Sequence, residues 1–253
     1  MAKWLLVLSS LLSLPALADW RDADYVLRAF ELIALNNEYE AQSFPVRKWR
    51  QPLKVWLDHR VGDKALHTQL VQLHLAHLAE VTGHPVELVS QKEQANVRVL
   101  FTKQASWQAE TRALAGAGSE NLPFHGAVCL GHLWMTPGYE IRRALVVIPV
   151  DQARMHGKLV SCVVEELAQV MGLPNDSTEV FPSVFNDASK DQMLSPLDVT
   201  LLRLLYLPQL TPGMQAPAVR RALSDWLTAN PDWAAQSLSL TLEAGLRKQL
   251  GLR

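Results

Sequence analysis

The segment SCVVEELAQVMGLPNDS, residues 161–177, decides how the rest of the chain is interpreted. Its apolar residues recur every three or four positions, a pattern that predicts an amphipathic helix over residues 158–173. We expect this helix to end at Gly172, because glycine readily adopts the left-handed conformation that terminates helices, and Pro174 cannot continue one. The preceding and following segments are therefore interpreted as elements that pack around this helix.

Two glutamates and a glutamine occupy the polar positions of the predicted helix. Glu165, Gln169 and Gly172 share one face because they are spaced i, i+4 and i+7, whereas Glu166 is turned about 100° away. The spacing resembles the H-E-x-x-H-x-x-G-x-x-H motif of zinc metallopeptidases. In that resemblance Glu165, Gln169 and Asn175 stand where the motif has histidines. Glu166 keeps the position of the general-base glutamate, and Gly172 that of the turn glycine.

Two later features are similar to the metzincin group of these enzymes. Met193 stands where metzincins place a methionine turn beneath the metal, and SPLDVTLLRLLY (residues 195–206) resembles the C-terminal helix that follows that turn. The resemblance implies an α+β, zincin-like fold. Such a fold would have a mixed, twisted sheet of about five strands, a long backing helix, an active-site-type helix and C-terminal helices.

The chain also resembles a family of exported bacterial proteins, the domain of unknown function 2927. The similarity covers residues 24–210, and it implies a fold but no mechanism. It rests on five segments: FELIALNNEY (30–39), RKWRQPLKVWL (47–57), CVVEELAQVMGLPNDS (162–177), SVFND (183–187) and SPLDVTLLRLLY (195–206).

The N-terminus predicts an exported protein. Lys3 precedes an apolar run, residues 4–14, and small residues before Asp19 form a cleavage site that follows Ala18. The run is shorter than the roughly 18 apolar residues of a membrane span, so a periplasmic or secreted protein without a span is expected. The formal net charge of −1 gives no electrostatic reason to expect a nucleic-acid partner.

We expect four segments: a signal peptide (1–18), a helical arm (19–50), a domain (51–210) that the resemblance implies is zincin-like, and a C-terminal helical extension (211–253). The strand over residues 142–151 is the most apolar and is predicted to be central in the sheet. The other predicted strands span residues 53–58, 85–89, 95–102 and 125–135, and the other predicted helices span 22–36, 63–82, 107–115, 196–206, 218–229 and 233–250.

The two cysteines, Cys129 and Cys162, predict a disulfide, since the count is even and the chain is expected to be exported. In the chain-entropy model such a bond stabilises the fold by about 4 kcal/mol. A zinc site or a cysteine nucleophile are the alternatives.

Three histidines, His67, His74 and His77, lie on the long predicted helix. Two of them are three positions apart and could share a metal ion. Because glutamines and threonines surround them and no acidic residue is close by, a solvated helix face is the favoured interpretation.

The degenerate motif argues against zinc chemistry. Glu165 could still bind a metal, but Gln169 and Asn175 offer only neutral amide oxygens, so no zinc or other cofactor is expected. The favoured hypothesis is a non-catalytic pseudo-peptidase. Its cleft would bind a polypeptide or another cell-envelope component along a predicted edge strand, residues 126–133, with His125 and His132 as candidate residues of the cleft edge.

Two alternatives remain. In the first, a hydrolase uses Glu166 as base, with Gln169 as oxyanion donor or with a hard cation such as Ca²⁺ held by the oxygens of Glu165, Gln169, Asn175 and Asp176. In the second, the same polar residues only fix the helix to the following loop, through Asn186, Asp187 and arginine partners, in an envelope scaffold protein. The candidate arginines for that structural role are Arg142, Arg143 and Arg203.

Overall fold

The computed structural model describes residues 19–36, 43–116, 122, 124–186 and 188–241. The predicted signal peptide, Asp187 and the end of the last predicted helix (242–250) lie outside the described residues. None of the described helices is long and apolar enough to cross a membrane.

The described residues form a mixed α/β structure with six strands and eight α-helices. The strands are β1 Lys48–Trp49, β2 Leu53–His59, β3 Val86–Leu88, β4 Val97–Thr102, β5 Leu130–Met135 and β6 Glu140–Pro149. The helices are α1 Ala23–Ala34, α2 Lys64–Thr82, α3 Trp107–Ala115, α4 Val150–Met155, α5 Leu159–Gln169, α6 Pro196–Leu205, α7 Ala216–Ala229 and α8 Trp233–Ser239.

The sheet is mostly parallel. Strands β3, β2, β4 and β6 lie side by side in parallel, and β1 pairs in parallel with the first residues of β6. β5 is antiparallel to β6 and forms one edge of the sheet. The mixed sheet was predicted, whereas the described residues contain six strands rather than about five. β6 was predicted to be central and is paired on both sides, but it lies second from the edge because β5 and β1 share its outer side.

The two faces of the sheet pack against different elements. Alternate residues of a strand point to opposite faces, so Val97 and Val99 of β4 join the main core, while Leu100 lies in a small second core. The main core includes α2 and α5, and the second core is covered by α3 through Trp107. The sheet is therefore covered fully on one face and only partly on the other.

The end of α5 is held by aromatic side chains. Trp49 donates its indole N–H to the Val170 carbonyl at 2.7 Å, and the Tyr206 hydroxyl donates to the Met171 carbonyl at 2.9 Å. These bonds satisfy carbonyls that have no partner within the helix. The helix ends at Gln169, earlier than predicted, and the chain turns at Gly172, where φ is 122° and a Cβ would overlap the Arg47 carbonyl oxygen.

The predicted solvated histidine face of α2 is wrong. His67, His74 and His77 are all buried, because α2 lies between the sheet, α5 and the C-terminal segment. The His67 ring stacks on Phe101 with 4.4 Å between centroids, and His77 Nε2 donates to the Leu240 carbonyl at 2.7 Å. Sequence neighbours did not reveal this burial, because it depends on what packs against the helix.

Candidate functional site

A disulfide joins the edge strand to the motif helix. Cys129 immediately precedes β5 and Cys162 lies in the first half of α5, and their Cα atoms are 5.9 Å apart. The predicted disulfide is confirmed. It anchors β5 beside α5, so the residues of the degenerate motif lie next to the edge of the sheet.

Glu166 lies in the contact between α5 and β5. Only 5% of its surface is exposed, and a Cβ added to Gly131 would lie 2.8 Å from Glu166 Oε2 and 3.4 Å from Val170 Cγ1. With the carboxylate in this position, only glycine leaves room for the approach. The carboxylate is therefore enclosed between helix and strand.

Gln169 and Asp176 form the polar pair at the end of the motif helix. Gln169 Nε2 donates to both carboxylate oxygens of Asp176, at 2.9 and 3.0 Å. Gln169 Oε1 faces β5, where it would lie 3.9 Å from a Cβ on Gly131. Glu165, one position before Glu166, remains half-exposed.

Asn175 points away from this pair. Its side-chain amide donates to the Leu32 carbonyl at 2.7 Å, and its backbone N–H donates to the Ile33 carbonyl at 3.2 Å. Asn175 is buried, with 6% of its surface exposed. It secures the loop after α5 to α1.

The donor set does not fit a zinc ion. Zinc in proteins is held mainly by nitrogen and sulfur ligands, whereas Glu165, Gln169 and Asn175 offer only oxygens. The amide nitrogens of Gln169 and Asn175 are tied to different partners, Asp176 and α1. No group of three or more His, Cys, Asp or Glu side chains in the described residues could hold a metal ion.

The metal-free hydrolase arrangement is also not assembled. Gln169 Nε2 donates to Asp176 and therefore does not present its N–H groups to a developing oxyanion. Glu166, the base of that hypothesis, is almost fully enclosed. A general base needs to reach the proton that it removes.

The two candidate edge histidines lie apart from the motif. The predicted strand over residues 125–135 is shorter, since β5 begins at Leu130, and His125 lies in the preceding loop and is exposed. His132 lies on the face of β5 opposite Gly131, with its ring 4.4 Å from that of Trp134. Burial and the nearby Arg143 lower the pKa of His132.

The remaining predicted residues are Met193 and the candidate arginine partners. Met193 lies in the bend before α6 and packs, half-buried, against the main core. Arg142 binds Glu140 at 3.1 Å and Arg203 binds Gln236 at 2.6 Å, so these two predicted partners of the motif are engaged elsewhere.

The loop after α5 is held by its own polar contacts. Asp198 accepts hydrogen bonds from the Ser183 hydroxyl at 2.5 Å and from the backbone N–H groups of Val184 and Ser195, at 3.1 and 2.8 Å. Asn186 donates to the Val180 carbonyl at 2.9 Å. These bonds stabilise the loop from within and from the start of α6.

A second group of residues was missed by the motif-centred sequence reasoning. Two tryptophans and two arginines, Trp56, Arg98, Trp134 and Arg143, line a groove on the face of the sheet opposite α5. The signal was present in the strands, because polar or aromatic residues alternate with core residues in β2 and β4. That alternation predicts a second, partly exposed face.

Comparison with known proteins gives a family without an assigned activity. Residues 23–225 match the sequence model of the family described as Protein of unknown function (DUF2927). No curated protein matches the chain.

Proposed function

The chain belongs to the DUF2927 family, and we propose that this member is an exported, zincin-like pseudo-peptidase that binds an extended polypeptide without cutting it. Residues 161–177 and the segment from Met193 to Tyr206 support the zincin-like assignment through their spacing. A mixed sheet with an antiparallel edge strand beside the motif helix is compatible with it. The predicted signal peptide supports export.

The observation that carries the binding proposal is the position of β5. It pairs with β6 on one side, and no described strand pairs with its other side. Such an edge carries backbone N–H and C=O groups that can add a further strand. The Cys129–Cys162 disulfide holds β5 against α5, and a rigid edge loses less conformational freedom when it binds.

Three features support a binding role without catalysis. Glu166 is enclosed against Gly131, the Gln169 amide donates to Asp176, and Asn175 is directed to α1. These contacts engage the side chains at the positions that a peptidase with the H-E-x-x-H-x-x-G-x-x-H spacing would use for its base and metal ligands. Glu165 and Asp176 are half-exposed, and Asp176 is bound by Gln169, whose Oε1 faces β5.

Consecutive proline substitutions in β5 test the proposal. In an antiparallel pair, successive N–H groups alternate between the partner strand and the outside. One of His132→Pro and Leu133→Pro therefore removes an outward N–H, and the other removes a bond to β6. We expect the outward variant to keep its melting temperature and to bind a fluorescent, reduced and carboxymethylated lactalbumin about tenfold more weakly or worse.

Hydrogen exchange provides the second readout in the unmodified protein. Amides of residues 130–135 should exchange more slowly when the same unfolded probe is bound, while those of β3 at the opposite edge should not change. If the probe binds with no added protection in β5, or if it is cleaved, the proposal is wrong.

A purely structural role of the polar cluster is the second candidate. The bidentate contact of Gln169 with Asp176 favours it, because this contact ties the end of α5 to the following loop. Gln169→Ala separates the two functions. Loss of stability with unchanged probe binding per folded molecule supports the structural role, whereas loss of binding at unchanged stability supports the binding role.

A further inference from the structure

The open face of the sheet carries a groove with a volume of about 210 Å³, which we call the basic groove. It lies on the side away from α5 and does not depend on the proposed polypeptide site. Its side walls come from β2, β4, β5 and β6, and the end of α3 contributes Leu114. The basic groove is defined by the side chains of Trp56, Lys92, Arg98, Trp134 and Arg143.

Strand pairing places each tryptophan beside an arginine. Trp56 of β2 is in register with Arg98 of β4, and Trp134 of β5 is in register with Arg143 of β6. The Arg98 guanidinium lies 5.0 Å from the centre of the Trp56 ring, and the Arg143 guanidinium lies 3.7 Å from that of Trp134. Stacking on a ring orients a guanidinium and leaves its N–H groups at the edge of the plane available to an acceptor.

The charge of the groove is unbalanced. It is lined by three cationic side chains, Lys92, Arg98 and Arg143, and no carboxylate is among the described residues that line it. Arg98 is bound to Asp58, and Lys92 lies 3.8 Å from Glu93, both carboxylates being outside the groove. Arg143 is exposed and forms no ion pair with any described residue. The groove therefore favours an anionic group near Arg143.

The size and the walls restrict the ligand further. Pockets that enclose drug-sized molecules have volumes of about 300–1,000 Å³, so this groove accommodates a smaller, ring-sized group. The half-buried Trp56 provides an apolar surface on which a ring can pack, and the guanidinium of Arg143 matches a carboxylate or phosphate through paired N–H donors.

We propose that the basic groove binds an acidic sugar, with its carboxylate or phosphate at Arg143 and its ring against Trp56. Arg98, oriented by Asp58, and Lys92 add to the positive potential along the groove. Recognition of this kind weakens as salt rises, because part of it is electrostatic.

Titration calorimetry of the full chain with glucuronate, glucose 1-phosphate, glucose and inorganic phosphate tests the proposal. We expect one or both acidic sugars to bind, and to bind at least about tenfold more tightly than glucose or inorganic phosphate. The two acidic sugars distinguish a carboxylate site from a phosphate site. Binding of glucose or of inorganic phosphate with equal affinity would overturn the proposal, as would failure of both acidic sugars to bind.

Matched arginine variants locate the site. Arg143→Gln should weaken binding of the preferred acidic sugar about tenfold or more, and Trp56→Leu should weaken it as well. Arg142→Gln is the control, because Arg142 is the adjacent residue of β6, is exposed and pairs with Glu140 instead of lining the groove. Equal losses in the two arginine variants would place binding outside the groove and contradict the proposal.

Discussion

The two faces of β5 differ in accessibility and in charge. On one face, Gly131 is pressed against Glu166 of the motif helix, and the contact is enclosed and anchored by a disulfide. On the other, Trp134 lies under the exposed Arg143 and opens into the basic groove. The face with the recognisable motif is closed, whereas the face without a motif carries unbalanced charge.

This difference shows that motif spacing and accessibility are separate properties. An i, i+4 spacing defines which residues share a helix face, but it does not define what packs on that face. Here the sheet edge packs on it, and a glycine permits the close approach. The four predictions below test this contrast, from the largest expected effect to the smallest.

Removal of the disulfide should have the largest effect on the closed face. The double substitution Cys129→Ser and Cys162→Ser should lower the free energy of unfolding by about 4 kcal/mol, since the crosslink restricts the unfolded chain. Urea unfolding measures the loss, and reduction of the unmodified protein serves as the control. A loss below about 1 kcal/mol would mean that the crosslink contributes little to holding β5 against α5.

Acid should destabilise the covered side of the sheet. Burial, with His77 nearby, lowers the pKa of His74 from 6.5 to about 3. Because the folded state keeps His74 neutral while the unfolded chain binds a proton below pH 6.5, stability is present above that pH and is lost as pH falls towards 3. The expected contribution of His74 to this loss is about 2 kcal/mol between pH 7 and pH 5.

Urea unfolding at a series of pH values, with His74→Leu as the comparison, measures this contribution. The variant should show a flatter dependence of unfolding free energy on pH, whatever its absolute stability. If the two pH profiles are parallel, His74 is not the group responsible. His67, whose pKa burial lowers to about 4, should give an effect of the same sign and of nearly the same size between pH 7 and pH 5.

A side chain at Gly131 should disturb the contact with Glu166. Gly131→Ala should lower the free energy of unfolding by about 1–3 kcal/mol, because its Cβ would lie too close to the carboxylate. The same change in a Glu166→Ala background should cost less, and thermal or urea unfolding of all four proteins gives the coupling.

Gly138→Ala is the matched glycine control. Its Cβ would lie 3.7 Å from Thr136 Oγ1, an ordinary contact, so we expect a change of at most about 0.5 kcal/mol. Equal costs at Gly131 and Gly138, or no coupling to Glu166, would contradict the enclosed contact.

A substitution on the open face of the sheet should have the smallest effect on the free energy of unfolding. Arg143→Gln should alter the free energy of unfolding by no more than about 0.5 kcal/mol, since the side chain is exposed and forms no ion pair with the described residues. Thermal unfolding measures this, with Arg142→Gln as comparison. A loss above about 1.5 kcal/mol would mean that Arg143 supports the fold rather than a surface for a ligand.

Several elements were predictable because their signals are local. The apolar run of β6, the start of α6 at Ser195 and the turn at Gly172 depend on neighbouring residues. The Ser195 capping box, for example, is completed by Asp198 three positions later. The disulfide was also predicted, since the chain contains only two cysteines.

The prediction about exposure of the α2 histidines was wrong, and the orientation of two site candidates could not be predicted. The histidines of α2 are surrounded in sequence by glutamines and threonines, yet α5 and the C-terminal segment bury them. His132 was placed on the cleft edge with His125, but the pleat of β5 turns it to the opposite face. Asn175 was aligned with a metal ligand, yet its amide bonds to α1.

The sequence by itself determined most of the order of helices and strands, the family and the pairing of the cysteines, because each depends on local periodicity or on a unique partner. It missed β1 and α4, which are only two and six residues long. Only the tertiary structure decided that Glu166 is enclosed, that Gln169 binds Asp176 and that the tryptophan–arginine pairs share one groove. These outcomes depend on which surfaces meet across long separations in the chain. The segment at residues 161–177 specifies a helix and its end, while β5 decides which of its side chains remain accessible.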